Sequence, residues 1–286
     1  MESISLFGCK YDFEVIVVDN ASIDGSKTYL DGLKYKVMVI RNEENLGFAK
    51  ACNQGAAAAK GEYLLFLNND TIVTAGWLDA LISELDIDQS IGIVGPKLLY
   101  PDGTVQHAGV VFDEKKWPHH IYKKESGSAP YVNKKRHFQC ITGACLMIRT
   151  KLFKAVRGFD EAYTNGLEDL DLCLRVRESS FGVLYCPESV VYHHESVSEG
   201  RSCNDEKNIE IFYSHWIKKI KADAKDYAAE DGMSGMGEFL DVWNGRGLSR
   251  KKFFHLWDRF LITAKRDGFS RAVTKTWRRV TMKPLI

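Results

Sequence analysis

Four short apolar runs, each leaving into polar residues and then a helical pattern, set the limits on what this 286-residue chain can fold into. The runs are "FEVIVVDN" (13–20), "KVMVIRNEEN" (36–45), "EYLLFLNND" (62–70) and "IGIVGPKLLY" (91–100). Each is apolar throughout rather than alternating, which is the pattern of a strand buried on both faces. Between them, "GFAKACNQGAAAAKG" (47–61) reads as an Ala-rich helix closed by glycine, and "AGWLDALISELD" (75–86) places Leu78, Leu81, Ile82 and Leu85 on one helical face. Strands alternating with helices predict an α/β fold: a mostly parallel sheet with helices on both faces. In such sheets, ligands gather outside the carboxyl ends of the strands. Here those ends carry Asp19-Asn20, Arg41-Asn42 and Asn68-Asn69-Asp70. A single polar strand end is an ordinary cap or turn; several on successive strands predict a shared polar site.

The pattern dissolves over 113–137, which reads as a long loop or flap. A strand and helix return at 138–156. Next, "GFDEAYTNGLEDLDLCLRVRESSFG" (158–182) reads as a turn and an acidic-headed helix, with Glu168, Asp169 and Asp171 where the helix dipole favours carboxylates. A strand pair ending in His193 and His194 follows, and then a helix over 204–221. The reading divides the chain into a catalytic-type domain (1–222), a Gly-containing linker (223–245) and a basic helical extension (246–286). That last stretch holds 12 Lys/Arg against Asp258 and Asp267, although the whole chain carries a net charge of only +1. No nucleic-acid motif accompanies this charge, so nucleic acid is not the expected partner. Its basic, aromatic face has two readings, a solvated linker or a peripheral contact with anionic lipid. Seven cysteines without a C-x-x-C pair predict free thiols in a reducing compartment. No apolar run approaches the roughly 20 residues of a membrane span, and residues 1–13 do not resemble a secretory signal. The expected location is cytoplasmic, with peripheral contact at the inner membrane face.

Four blocks occur in order: "VIVVDNASIDGS", "NLGFAKACNQGAAAAKGEYLLFLNND", "GFDEAY…GLEDLDLCLRV" and "VVYHHESVS". Together, over residues 13–200, they resemble the family 2 glycosyltransferases of the GT-A fold, especially bacterial rhamnosyltransferase-like members. The resemblance implies a GT-A, Rossmann-like domain. It also implies inverting, Mg²⁺- or Mn²⁺-dependent transfer of a sugar, such as rhamnose, from a dTDP- or UDP-sugar. The acceptor would be a saccharide or lipid-linked glycan of cell-surface polysaccharide synthesis.

The resemblance also implies roles for particular residues. "NND" takes the place of the family's D-x-D element, so Asp70 becomes the metal ligand, Asn69 a donor contact, and Asn68 the substitute for the first acid. Asp19 matches the acid that accepts from the N3–H of uracil or thymine; its other reading is a cap for the next helix. Asn20, Gly47 and Asn53 join it as nucleotide-sugar-binding candidates, with Gly47 also readable as an ordinary turn glycine. Asp169 corresponds to the catalytic base, with Glu168 assisting, while Asp171 is read as structural. His193, ahead of His194, matches the family's metal-binding histidine. Trp77 is read as core, and Trp117, His119 and His120 as either acceptor contacts or solvated loop.

The chemistry suits these residue types. Departure of a sugar leaves charge on a diphosphate, which a hard cation held by oxygen ligands neutralises. The attacking hydroxyl needs a carboxylate within hydrogen-bond reach. Two features depart from the family pattern. "NND" carries one acid fewer, and the β–α unit expected before "FEVIVVDN" is not in the sequence. The rival expectation is therefore a catalytically inactive remnant or interaction module with the same fold. A nucleotidyltransferase is a weaker rival, because no Gly-rich, basic phosphate loop lies near the start.

Overall fold

The computed structural model describes residues 1–6, 9–33, 37–194 and 205–233. The expected basic extension lies outside the described residues.

The apolar runs form the strands foreseen for them. They are β1 (Val15–Asp19), β2 (Val37–Arg41), β3 (Tyr63–Leu67) and, after the short β4 (Thr71–Val73), β5 (Ile91–Leu99). Between them lie α1 (Glu2–Leu6) ahead of β1, α2 (Ser26–Asp31), α3 (Phe48–Ala58) and α4 (Trp77–Ile87). Short strands β6 (Val105–His107), β7 (Val110–Phe112), β8 (Pro118–His120) and β9 (Arg136–His137) precede β10 (Cys145–Arg149) and α5 (Thr150–Ala155). The chain continues through α6 (Glu168–Glu178), β11 (Gly182–His193), α7 (Asp205–Trp216) and α8 (Ala224–Glu230).

Seven strands form one sheet on the path β3-β10-β5-β11-β4, with β6 on β5 and β9 on β11. β5 and β11 are parallel, and β10 runs against both β3 and β5, so β3, β5 and β11 share one direction. β1 and β2 pair parallel in a separate two-stranded sheet. β5 is buried along its whole length, as its unbroken apolar run requires. α4 turns Trp77, Leu81, Ile82 and Leu85 onto the sheet, where they pack with Val94, Leu98, Met147 and Val191. Trp77 therefore sits in the core.

Three segments differ from the sequence reading. The expected flap at 113–137 contains β8, which pairs with β7 just before the segment, and β9, and it is pinned to the body. The Trp117 ring packs edge-on against Tyr213 of α7, and the Tyr213 hydroxyl donates to the Lys116 carbonyl (2.9 Å). Its many charges had masked these few apolar anchors. The expected strand pair near 183–193 is one strand, β11, with a register shift between Cys186 and Val190. Residues 224–230, read as the start of the linker, form α8. Ala224 and Ala228 of α8 are buried, and Asp231 just beyond it pairs with Lys134 and Arg136.

Candidate active site

The carboxyl ends of β1 and β3 and the start of α6 border one continuous cavity of about 1870 Å³. Its lining includes Asp19, Asn20, Gly47, Asn69, Asp70, Glu168, Asp169 and His193. Among the nucleotide-sugar-binding candidates, Asn53 is the one that the structure leaves out of this cavity. Its amide is occupied by the turn before α6: it donates to the Phe159 carbonyl (2.9 Å) and to Glu161 (3.0 Å), and accepts from the Phe159 N–H (3.0 Å). Nothing in the local "KACNQG" pattern distinguishes such a staple from a ligand contact.

At the β1 end, Asp19 is buried and its Oδ1 accepts the Ser22 N–H at 3.0 Å. The hydrogen bonds from Ser22 hold its carboxyl below the ordinary aspartate range. It is thus a fixed anion at the rim. Asn20 organises the loop after β2. Its Oδ1 accepts from the Leu46 N–H and Asn42 Nδ2, each at 3.0 Å, and its Nδ2 donates to Asn45 (2.8 Å) and to the Gly47 carbonyl (3.2 Å). Gly47 has φ +83° and ψ 173°, a conformation that a residue with a Cβ rarely adopts. The next residue, Phe48, opens α3 and donates its N–H to Asn165 Oδ1 at 3.0 Å, joining this rim to the loop before α6.

The residues at the β3 end and at the start of α6 meet through two adjacent backbone groups. The Asn68 N–H donates to the Ala144 carbonyl (2.9 Å), and the neighbouring Gly143 N–H donates to Asp169 Oδ2 (2.7 Å). A Cβ on Gly143 would lie 3.0 Å from the Asp169 Cβ, a tight approach that a glycine accommodates without displacing Asp169. The other oxygen of Asp169 accepts the Leu170 N–H at 2.9 Å. Asp169 is half-buried against the cavity, in the first turn of α6, while Glu168 is buried and accepts the Gly166 N–H at 2.5 Å. Leu167, the residue before α6, is held at φ +71° and Asn165 at +55°, an uncommon backbone for such residues. Asn208 of α7 fixes this loop by bonding Thr164 through both its N–H (3.0 Å) and its carbonyl (2.9 Å). Asp171 is structural, as expected: it accepts from Trp216 Nε1 (2.7 Å) and Arg175 Nε (2.7 Å).

His193, at the end of β11, is buried. Its Nδ1 donates to Gln106 Oε1 at 3.0 Å, which turns Nε2 toward Asp70. Nε2 lies 3.0 Å from Asp70 Oδ1 and 3.4 Å from Asn68 Nδ2. The Asp70 carbonyl also accepts the His194 N–H (3.0 Å), so β11 holds the loop as well as facing it, while the His194 side chain is exposed. An imidazole nitrogen and a carboxylate oxygen at this distance make either an ion pair with imidazolium or two neighbouring ligands of one cation. Two ligands at about 2.1 Å and a right angle are themselves about 3 Å apart, so the pair fits a divalent ion. A fixed second-shell partner such as Gln106 is what a ligating histidine uses to set its tautomer.

Beside it stands a histidine pair. His107 Nδ1 is 2.8 Å from His120 Nδ1, and His107 Nε2 accepts the Thr142 N–H at 3.4 Å. Burial, with His120 and His193 nearby, pushes His107 well below the ordinary histidine range, so it is neutral. His120 lines the cavity, and His119 pairs with Asp113 (3.1 Å). Sequence reasoning missed Gln106, His107, Gly143 and Asn165. Gln106, His107 and Gly143 each contact a candidate residue from a different element, and Asn165 bonds Phe48 beside Gly47; no local pattern reports that.

Comparison with known proteins gives this arrangement a family. Residues 2–157 match the family described as Glycosyl transferase family 2, more than half of the chain. The chain belongs to this family. Residues 125–195 match a second family, described as the N-terminal domain of galactosyltransferase. Among curated proteins, the chain is 33% identical over 206 residues to an uncharacterized protein of Sinorhizobium fredii, covering 68% of this chain and 23% of that one. It is 32% identical over 210 residues to the O-antigen biosynthesis protein RfbC of Myxococcus xanthus, covering 71% of this chain and 16% of that protein. It is also similar to the N-acetylglucosaminyl-diphospho-decaprenol L-rhamnosyltransferase of Mycobacterium tuberculosis. There it is 26% identical over 209 residues, covering 65% and 68% of the two chains. The chain thus spans less than a quarter of the length of the first two relatives. Among solved structures, S. aureus TarS 1-349 in complex with UDP-GlcNAc superposes with a TM-score of 0.57 at 16% identity, covering 96% of this chain and 86% of that one. GalNAc-T7 with UDP, GalNAc and Mn²⁺ superposes with a TM-score of 0.51 at 15% identity, covering 79% and 51%. These likenesses establish the GT-A fold. No helix among the described residues is long and apolar enough to cross a membrane.

Proposed function

We propose that the chain transfers a sugar from a nucleoside diphosphate donor to a saccharide acceptor, with inversion, in the cavity described above. The observation that carries the reading is the Gly143–Ala144 link. It ties the carboxylate of Asp169 to the loop bearing Asp70, so a base and a diphosphate-facing acid are held by one short segment.

In this reading, Asp19 and the loop organised by Asn20 receive the nucleotide, with Asn69 facing the donor. A uracil or thymine N3–H donates to Asp19, which its bonds from Ser22 keep ionised; the donor is therefore UDP- or dTDP-linked. Asp70 and His193 would hold a Mg²⁺ or Mn²⁺, which would supply neutralisation of the charge on the departing diphosphate. Asp169 accepts the proton of the acceptor hydroxyl. Its carboxylate is pre-oriented by the Gly143 and Leu170 N–H groups, so little reorganisation accompanies the transfer. Glu168 fixes the loop that precedes Asp169 through Gly166. Similarity to an N-acetylglucosaminyl-diphospho-decaprenol L-rhamnosyltransferase supports rhamnose as sugar and a lipid-linked glycan as acceptor, and similarity to an O-antigen biosynthesis protein supports cell-surface polysaccharide synthesis.

The test is turnover of a panel of UDP-, dTDP- and GDP-sugars with Mn²⁺ and saccharide acceptors, followed by release of the nucleoside diphosphate. Acceptor-dependent release from a UDP- or dTDP-sugar is expected. Release that persists unchanged in the Asp169→Asn protein would remove the base from the mechanism. One observation favours a second reading, a fold-retaining module that does not turn over donor: β1–β2 is a sheet separate from that of β3. Absence of nucleotide binding with or without Mn²⁺ supports that alternative.

A further inference from the structure

Two successive backbone amides orient two side chains. The Gly143 N–H bonds Asp169, and the Thr142 N–H before it bonds His107 Nε2. Asp169 has its part in the reading above. His107, only 1% exposed, has none.

The local fold brings a second imidazole onto it. β6 pairs with β5 through Leu98–His107 and Leu99–Val105, so Gln106 is the extra residue of a bulge. The bulge lets two neighbours serve different partners: Gln106 reaches His193, and His107 reaches His120. The chain then turns back on itself. Val110 of β7 pairs with His120 of β8, and the Ile121 N–H donates to the Gly109 carbonyl (3.1 Å). The Val110 N–H donates to the Cys140 carbonyl (3.0 Å), which fixes the hairpin to the segment that carries Thr142 and Gly143. The two rings meet edge to face, with centroids 4.9 Å apart and planes at 80°.

The hydrogen bonds leave one arrangement of protons. A backbone N–H only donates, so His107 Nε2 is an acceptor and carries no proton. Neutral His107 therefore holds its proton on Nδ1 and donates it to His120 Nδ1. His120 Nδ1 accepts in turn, and the His120 proton sits on Nε2. The opposite order would set a protonated His107 Nε2 against the Thr142 N–H. A second proton on His120 would go to Nδ1, against that of His107, so His120 is neutral too. His120 is half-buried and borders the cavity, as do Thr142, Gly143 and Asp169.

We propose that His120 Nε2–H binds the acceptor saccharide through one of its hydroxyl oxygens, a contact that rests on the sugar-transfer reading above, and that His107 is the positioning residue that sets its tautomer. A neutral donor matches an uncharged hydroxyl, whereas a diphosphate is better served by cations. The Thr142–Gly143 segment orients both this donor and Asp169, while Asp19 and Gly47 stand apart from it, at the end of β1 and the start of α3. Donation to the attacking oxygen would draw density from the nucleophile, so the N–H belongs to a second hydroxyl of the same sugar. Asp169 then accepts from one hydroxyl and His120 donates to another, and two contacts orient the sugar for attack.

The test uses a panel of alkyl glycosides and their monodeoxy analogues, with UDP- and dTDP-sugars and Mn²⁺. His120→Leu should raise the KM of the best glycoside about three- to ten-fold, the worth of one neutral hydrogen bond, and leave donor affinity within two-fold. His120→Gln, which keeps an N–H donor, should recover most of that loss. One monodeoxy analogue should lose a similar factor with the parent protein and nothing further with His120→Leu. Long-range ¹⁵N–¹H spectra of the metal-free protein read the tautomers directly. They should show His107 as Nδ1–H and His120 as Nε2–H. The single His120 tautomer should be lost in His107→Leu and regained in His107→Asn, which keeps a donor near Nδ1. Reversed tautomers, a glycoside KM that His120→Leu leaves within two-fold, or a loss of donor affinity in its place would overturn the proposal while the parent protein still transfers sugar. Absence of transfer by the parent protein would overturn the sugar-transfer reading and this contact with it.

Discussion

Replacing Asp169 by Asn separates a catalytic carboxylate from a structural one. Asp169 accepts two backbone N–H groups, one on each oxygen: Gly143 on Oδ2 at 2.7 Å and Leu170 on Oδ1 at 2.9 Å. Asparagine keeps one acceptor oxygen and must turn its NH₂ toward the other N–H. One partly buried donor is then left without its partner, at a cost of about 1–3 kcal/mol in stability. That cost alone leaves the protein folded at 25 °C if total stability is in the usual range of about 5–15 kcal/mol. Loss of a general base lowers turnover about 10²- to 10⁴-fold, or about 3–5 kcal/mol of barrier. The two effects are measured apart, by urea unfolding for stability and by nucleoside diphosphate release at saturating donor for turnover. Donor affinity should stay within about three-fold of the parent protein, because the substitution leaves Asp19 and Asp70 in place. A folded Asp169→Asn protein that retains turnover within ten-fold of the parent would show that the carboxylate only braces Gly143 and the start of α6.

Other outcomes follow from single contacts. Gly143→Ala puts a Cβ 3.0 Å from that of Asp169 and should lower turnover about ten-fold or more, with donor affinity preserved; calorimetry beside kinetics checks this. Asn53→Ala removes the staple between α3 and the turn at Phe159. It should cost about 1–3 kcal/mol in urea unfolding while leaving nucleotide affinity unchanged. His107 is buried and neutral, with its pKa well below that of the unfolded chain. Below about pH 6.5 the unfolded chain therefore binds a proton that the folded one refuses, and stability falls with pH by up to about 1.4 kcal/mol per unit. Stability against pH should lose part of this slope in His107→Gln.

The strands and their polar ends were legible because apolar runs and 3.6-residue periodicity are local signals. Asp70, Asp169 and His193 each stand at the end of an element whose pattern is clear, and the structure brings the three to one cavity. What was hidden depends on contacts between elements. Asn53 looked like its neighbours on the cavity side, yet one turn of helix directs its amide to Phe159. Gln106 and Gly143 act only by standing next to His193 and Asp169. The 113–137 segment looked like a flap because its composition is charged, whereas Trp117 and a hairpin fasten it.

The central claim is that Asp70 and His193, 3.0 Å apart, hold a divalent cation for a nucleoside diphosphate in this cavity. Calorimetric titration of the chain with UDP and with dTDP, each with and without Mn²⁺, tests it most directly. The account predicts binding that strengthens at least ten-fold with Mn²⁺ and loses that dependence in Asp70→Ala. Nucleotide binding that ignores Mn²⁺, or a metal dependence that survives Asp70→Ala, would contradict it.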